Sequence, residues 1–414
     1  MNTYHKHTSS SRGGGRTPSR GRQPGRRFPF RGRPGNHGAR RGGYTGGGGH
    51  IDVSRFINKA EPQEGMKEYV PEYRFSDFEV HLLIKQNIAK KGYATPTPIQ
   101  DQSIPHILRG RDIVGIANTG TGKTGAFLIP LLDKAVKLRT ERVLIIVPTR
   151  ELAVQIDEEY RGFSHGSGVH SACVVGGANI NAQIRALRNN PHFVIGTPGR
   201  LKDVVQRRSL NLSHFKTLVL DEADRMLDMG FIGDIRSIVS QMPRERHTLF
   251  FSATLSREIE KLIGDFLKDP VRISVKTGDT ARTVNQDVVR LAGRNKIDVL
   301  HDLLVKPEFD KVLIFGRTKH GVEKLSKMLV AQGFKAASIH GNKTQGKRQR
   351  ALSAFKQGTV RILVATDVAA RGLDIPKVSH VINYDIPGTY DDYIHRIGRT
   401  GRAGQSGNAL TFID

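Results

Sequence analysis

Cysteine occurs once, as Cys173. A single thiol excludes an intrachain disulfide and any all-cysteine metal cluster, and the apolar neighbours of Cys173 predict a core thiol in a reducing compartment. Long apolar runs are missing too. None approaches the ~20 residues of a spanning helix, and the N-terminus is polar and arginine-rich where a secretory signal would be apolar. These absences predict a soluble intracellular protein, cytoplasmic in location. Negative charge is also scarce: Asp and Glu number 39 against 65 Lys and Arg, a formal net charge of +26. Such self-repulsion favours a polyanionic partner, for which nucleic acid and an anionic membrane surface both remain open at this point.

A chain of 414 residues exceeds one ordinary core and predicts two globular domains. Residues 1–50 hold eleven Lys and Arg and no acidic residue. Dominated by Gly and Arg, they have almost nothing apolar to bury and are expected to be disordered. Arg31-Gly32-Arg33 and Arg40-Arg41-Gly42-Gly43, with Phe28, Phe30 and Tyr44 interleaved, resemble arginine-glycine segments that bind RNA by phosphate attraction and base stacking; a solubilising arm is the alternative. Residues 51–74 read as a linker. From Phe75 onward short aliphatic runs alternate with amphipathic stretches: Asp112–Ile116, Val143–Val147, Phe193–Ile195, Leu218–Leu220 and Thr248–Phe251, then Val312–Phe315, Ala336–Ile339, Ile362–Ala365 and Val381–Tyr384. Buried strands separated by helices predict α/β architecture with parallel sheets. A polar stretch at 276–285 containing Gly278 divides them, giving a first domain at 75–275 and a second at 286–414.

The glycine-containing signatures follow these aliphatic runs directly, at the carboxyl ends of the predicted strands, where doubly wound sheets bind ligands. After the first run comes Ala117-Asn118-Thr119-Gly120-Thr121-Gly122-Lys123-Thr124, then a helical stretch. Glycines let backbone N–H groups turn around phosphate oxygens, the helix N-terminus adds its dipole, Lys123 neutralises charge and Thr124 can hold magnesium. Ala117 stands where the strict phosphate-loop pattern has Gly. The run Leu218–Leu220 leads into Asp221-Glu222-Ala223-Asp224, placing Asp221 to bind the ion, directly or through water, and Glu222 to orient and deprotonate an attacking water. The second half has no phosphate loop but ends in His395-Arg396-Ile397-Gly398-Arg399-Thr400-Gly401-Arg402. Three arginines on a glycine-broken turn call for an anion, either the phosphates of a nucleotide shared with the first domain or an RNA backbone.

In this order, the phosphate loop, Asp221-Glu222-Ala223-Asp224, Ser252-Ala253-Thr254 and His395 to Arg402 resemble the signatures of DEAD-box RNA helicases, over nearly everything from Phe75 onward. The resemblance implies two RecA-like domains that close around one ATP and a strand of RNA. Phe75 and Gly92-Tyr93-Ala94-Thr95-Pro96-Thr97-Pro98-Ile99-Gln100 resemble the family's Q motif, implying that Gln100 bonds the adenine edge and Tyr93 stacks on its face. Pro148, Thr149, Arg150, Gly177, Thr197, Pro198, Gly199 and Arg200 correspond to the family's RNA-backbone contacts in the first domain. Arg317, Thr318, Gln345, Arg348, Thr366 and Asp367 correspond to those in the second. Backbone contacts of this kind imply little sequence preference, with RNA told from DNA by its 2′-hydroxyl. Gly372 and Asp374 match the segment that reaches the ATP ribose, Arg399 and Arg402 the γ-phosphate arginines, and Asp224, Ser252, Thr254 and His395 the elements coupling hydrolysis to closure.

Val219 to Phe231 and His340 to Gly346 look most like bacterial members. After Phe412-Ile413-Asp414 the family's closing helix and basic tail are not in this sequence, so a less well covered edge is expected, with the N-terminal arm substituting for the tail. The resemblance implies a monomeric, magnesium-dependent ATPase acting on single-stranded RNA and short duplexes, with ribonucleoprotein or RNA-decay partners. An ATP-bound clamp without hydrolysis and a DNA-unwinding enzyme are the rival readings.

Overall fold

The protein is described here from a computed structural model, which describes residues 52–60, 69–118, 120–275, 284–370, 375, 377–401 and 407–414. The expected Arg-Gly arm lies outside the described residues, as do Thr119, Gly372, Asp374 and Arg402.

Two wholly parallel sheets organise the described chain. The first holds β1 (Ile113–Ala117), β2 (Val143–Ile146), β3 (Ser171–Val174), β4 (Phe193–Gly196), β5 (Thr217–Leu220), β6 (His247–Ser252) and β7 (Val271–Val275), in the order β3-β4-β2-β5-β6-β1-β7. The second holds β8 (Val284–Arg290), β9 (Val312–Phe315), β10 (Ala336–Ile339), β11 (Ile362–Ala365), β12 (His380–Asn383) and β13 (Gly407–Ile413), in the order β10-β11-β9-β12-β13-β8. All nine aliphatic runs are strands, differing by a residue at most at either end. β2, β4, β5, β9 and β11 are buried at every position. Both their faces are covered by helices, which is why they read as continuous apolar runs. Four strands carry no such run: β3, β7, β8 and β13.

Helices pack on both faces of each sheet. Those of the first domain separate its core into two clusters, one containing Phe127, Ile145 and Phe251, the other Leu144, Leu218 and Phe250, since alternate residues of each strand point to opposite faces. Cys173 packs half-buried against the first cluster, and burial pushes its thiol up to about 12, so it behaves as a small core side chain. Among the described residues no helix is long and apolar enough to cross a membrane. Residues 52–60, expected as linker, instead form a short 3-10 helix, Val53–Phe56, whose Phe56 enters the core of the second domain beside Tyr393. β8 begins at Val284, inside the expected second linker, and residues 276–283 lie outside the described residues.

Candidate functional site

β1, β6 and β5 lie side by side, so the loops at their carboxyl ends meet. From β1 the chain passes through Gly120 and Gly122, with φ of 86° and 92°, into the helix Lys123–Lys137. Thr121 Oγ1 donates to the Asn118 carbonyl at 2.8 Å. Lys123, only 6% exposed, donates from Nζ to the Ala117 carbonyl at 3.0 Å and pairs with Asp221 Oδ1 at 4.0 Å. The Q-motif glutamine closes this loop from the side. Gln100 is buried at position N3 of the helix Pro98–Leu108; its Oε1 accepts from the Thr97 N–H at 3.0 Å, and its Nε2 donates to the Gly122 carbonyl at 3.0 Å. A Cβ on Gly122 would stand 2.7 Å from that Nε2. Gly122 therefore serves both the left-handed turn and the close approach of Gln100. Phe75 and Tyr93 stand edge to face at 5.9 Å, with Phe75 buried in the core.

Asp221 follows β5 and is buried. Burial pushes its carboxyl up to about 6, opposed by the charge of Lys123. Glu222 is held in the left-handed region at φ 53°, unusual outside glycine, with Arg225 Nε 3.6 Å from its Oε2. Strain of this kind on a buried acid costs about 1–3 kcal/mol and collects at functional sites. Asp224 Oδ2 accepts from the N–H groups of Ala253 and Thr254, both at 3.0 Å, and from Thr254 Oγ1 at 3.2 Å, while Ser252 Oγ donates to the Thr254 carbonyl at 2.8 Å. The carboxyl ends of β5 and β6 are thereby tied through one carboxylate.

In the second domain the helix Tyr390–Ile397 leads into the arginine turn. His395 and Arg399 line a small recess with Phe315, Asp367 and Asp392, and Arg399 is buried. Arg396 is different. Its Nε and Nη2 reach the two oxygens of Asp367 at 2.5 and 2.8 Å, and its Nη1 donates to Asn383 Oδ1 and the Asp385 carbonyl. The anion expected for the turn is, for this arginine, a carboxylate of its own domain, and Asp367 is occupied by it.

Most of the residues expected along RNA fall at or beside helix N-termini. Thr149, Thr197 and Thr318 are the N-caps of Arg150–Ser164, Pro198–Gln206 and Lys319–Ala331, and Thr344 that of Gln345–Lys356. Thr366 immediately precedes Asp367–Ala370. Each helix follows a strand of one of the two parallel sheets, so these termini, with their positive dipole ends, lie on the strand-end sides of the sheets. Pro148 precedes the first and Pro198 begins the second. Arg150 lies on the Gly176-Gly177 backbone: a Cβ on Gly177 would be 2.0 Å from its Nη1. Arg200 donates to the Ala178 carbonyl and Gln183 Oε1, a Cβ on Gly199 would meet nothing within 4 Å, and Arg317 donates to the Ile386 carbonyl. Gln345 and Arg348 are buried, and Arg348 Nη2 pairs with Glu151 Oε2 at 2.6 Å, joining the two domains. Sequence reading gave Glu151 no role. Its partner lies 197 residues away, and only the fold brings them together.

The family model described as DEAD/DEAH box helicase matches residues 97–262, and that described as helicase conserved C-terminal domain matches residues 295–404. The ATP-dependent RNA helicase CshA of Listeria monocytogenes is 47% identical over 342 residues, 82% of this chain and 66% of that protein. The CshA helicase of Limosilactobacillus reuteri is 47% identical over 345 residues, 82% of this chain and 69% of that protein. The chain thus spans just under two thirds of the first relative's length and just over two thirds of the second's. Among solved structures, S. cerevisiae Dbp5 bound to RNA and ADP BeF3 is similar at a TM-score of 0.72 and 28% identity, covering 82% of this chain and 89% of that one. With its motifs at the ends of two parallel sheets and these matches across both, the chain belongs to the DEAD-box RNA helicase family.

Proposed function

We propose that this protein is an RNA-stimulated ATPase that separates short RNA duplexes or remodels ribonucleoproteins locally, by closing two RecA-like domains, taken as 75–275 and 286–414, around ATP and one RNA strand. The observation that carries this reading is the meeting of Lys123, Asp221, Glu222 and the Asp224–Thr254 tie at the ends of three adjacent strands. Gln100 reads the adenine edge, with Tyr93 and Phe75 against the ring. The N–H groups from Ala117 to Thr124 hold the phosphates, and Lys123 neutralises them. The Gly122 turn and the buried Asp221 beside Lys123 fit a magnesium nucleotide, for which Thr124 and Asp221 would hold the ion; bound there, it would offset charge on the phosphate oxygens. Glu222 orients and deprotonates the attacking water. Arg399 and Arg402 meet the γ-phosphate from the second domain, and Gly372 and Asp374 the ribose. Neither domain is a complete ATPase.

Asp224 links the water-activating loop to Ser252-Ala253-Thr254, so a change at the phosphates reaches the end of β6 directly. The row of threonine-opened helix N-termini, with Arg150, Arg200 and Arg317, binds phosphates without reading bases, and the Arg-Gly arm adds a salt-dependent hold. The protein works in the cytoplasm as a monomer. Matched RNA and DNA duplexes of ten to twelve base pairs test the reading: ATP should drive release of the RNA strand and leave the DNA duplex paired. Equal unwinding of both favours the DNA reading, and equal release without ATP favours a passive clamp.

A further inference from the structure

The segment before the Q motif is docked at both of its ends. At its start, Asp52 caps the Val53–Phe56 turn, accepting from the Ser54 N–H at 2.9 Å. Phe56 is 1% exposed, its ring 4.8 Å from that of Tyr393, and the Arg55 guanidinium lies 3.7 Å over the Tyr390 ring. Tyr390 and Tyr393 belong to the helix that leads into Arg399. Beyond the turn, Asn58 pairs antiparallel with Gln286, exchanging both backbone hydrogen bonds at 3.0 and 2.7 Å, and the Ala60 N–H donates to Asn285 Oδ1 at 2.9 Å. Gln286 also accepts from the Tyr393 hydroxyl at 2.9 Å. The segment therefore pairs at Gln286 with the outer edge of β8, the kind of edge that proteins otherwise shield.

At its other end the chain is fixed to the first domain. Tyr69 Oη and the N–H groups of Glu72 and Tyr73 all donate to the carboxylate of Asp101, which is 2% exposed and neighbours Gln100. Nine residue steps separate Ala60 from Tyr69, and nine separate Val275 at the end of β7 from Val284 at the start of β8. At ~3.3–3.6 Å per residue, neither connection exceeds about 32 Å when fully extended. One such connection lets two domains swivel freely. Two, starting from separate anchors, limit them to hinged opening.

We propose that residues 52–60 are a strap that makes a second tether between the domains, clamped on the helix leading to Arg399 and limiting how far that helix can leave the phosphate loop. Phe56 is then a positioning residue: it touches neither ATP nor RNA, and it acts by raising the effective concentration of one half-site at the other. The kinetic part of this inference rests on the helicase reading; the dimensions of the ligand-free chain do not.

The full chain carrying a specific protease site between Ala60 and Tyr69 separates tethering from packing, because cutting there leaves the strap seated on its domain. Cutting is expected to raise the KM for ATP in the presence of RNA about fivefold, with kcat within twofold, and to increase the radius of gyration of the ligand-free protein by small-angle scattering. Phe56→Ala is expected to do the same in the uncut chain, and Phe56→Leu to restore most of the loss. If cutting changes neither KM nor the radius of gyration, the strap is only a piece of the second domain and the proposal falls, whatever Phe56→Ala does. Absence of RNA-stimulated turnover in the uncut parent would reject the helicase reading instead, and scattering would still decide whether the strap tethers.

Discussion

Asp221 holds its proton far beyond the ordinary carboxylate range because it is buried, and Lys123 only partly offsets that burial. The folded group titrates near about 6 and an unfolded one near 3.8. Its contribution to stability is therefore fully present below pH 3.8 and lost as pH rises through about 6. Asparagine does not titrate, so the stability of the parent relative to Asp221→Asn should fall by about 2 kcal/mol between pH 4 and pH 7. Denaturant titrations across that range measure it, and a difference independent of pH would show that Asp221 is not held this way. At this scale the candidate site was legible as a set of residue types and was less so as a set of partners. Lys123 is expected on the phosphates and Asp221 on the ion beside them, and the fold brings the two within 4.0 Å of each other. Arg396 and Arg348 were read as meeting phosphates, whereas their guanidinium groups lie on Asp367 and Glu151, 29 and 197 residues away. An arginine's need for an anion can be read from the chain; which anion satisfies it depends on the fold.

The phosphate loop is the element on which the nucleotide site turns. A side chain at Gly122 meets two obstacles: a φ of 92°, which costs a non-glycine residue roughly 1–2 kcal/mol, and a Cβ 2.7 Å from the Gln100 amide and 2.9 Å from Thr97 Oγ1. Gly122→Ala should weaken ATP binding at least about tenfold, since each 1.4 kcal/mol is a factor of ten, and leave nucleotide-free RNA binding unchanged. Calorimetric titration with a non-hydrolysable ATP analogue checks this, and unaltered affinity would remove Gln100 and Gly122 from the nucleotide pocket. Elements buried on both faces were the most legible. Val143–Ile146 and Ile362–Ala365 are apolar throughout because helices cover both sides of them. The strands without such a run lie at or next to sheet edges, where one face meets solvent: β3 alternates half-buried and buried positions, and β8 begins Val284 buried, Asn285 exposed, Gln286 buried. Short alternations of that kind are weak signals amid polar sequence. The strap is fainter still, since Phe56 is a lone aromatic in a polar stretch and its pocket is built by residues more than 200 positions later.

At the scale of the whole molecule, the account requires two half-sites that work only when joined, and the Glu151–Arg348 pair is a direct side-chain contact between them. Both side chains are buried, so removing one leaves the other charge without a partner in a dry environment, at a cost of about 3–5 kcal/mol. Glu151→Gln and Arg348→Gln should each raise the RNA concentration needed for half-maximal ATP turnover. The double variant should be no worse than the poorer single one, a coupling of at least about 1 kcal/mol. Strictly additive losses would mean that the two residues serve separate contacts. The central claim is that hydrolysis needs RNA and the Glu222 carboxylate together. Its most direct test is ATP turnover by the full chain and by Glu222→Gln, each without nucleic acid, with single-stranded RNA and with DNA of the same sequence. The account predicts that RNA raises turnover of the parent at least about tenfold while DNA does not. It also predicts that Glu222→Gln loses about 10²-fold or more while still binding ATP and RNA. Turnover indifferent to RNA, or a Glu222→Gln variant as fast as the parent, would contradict it.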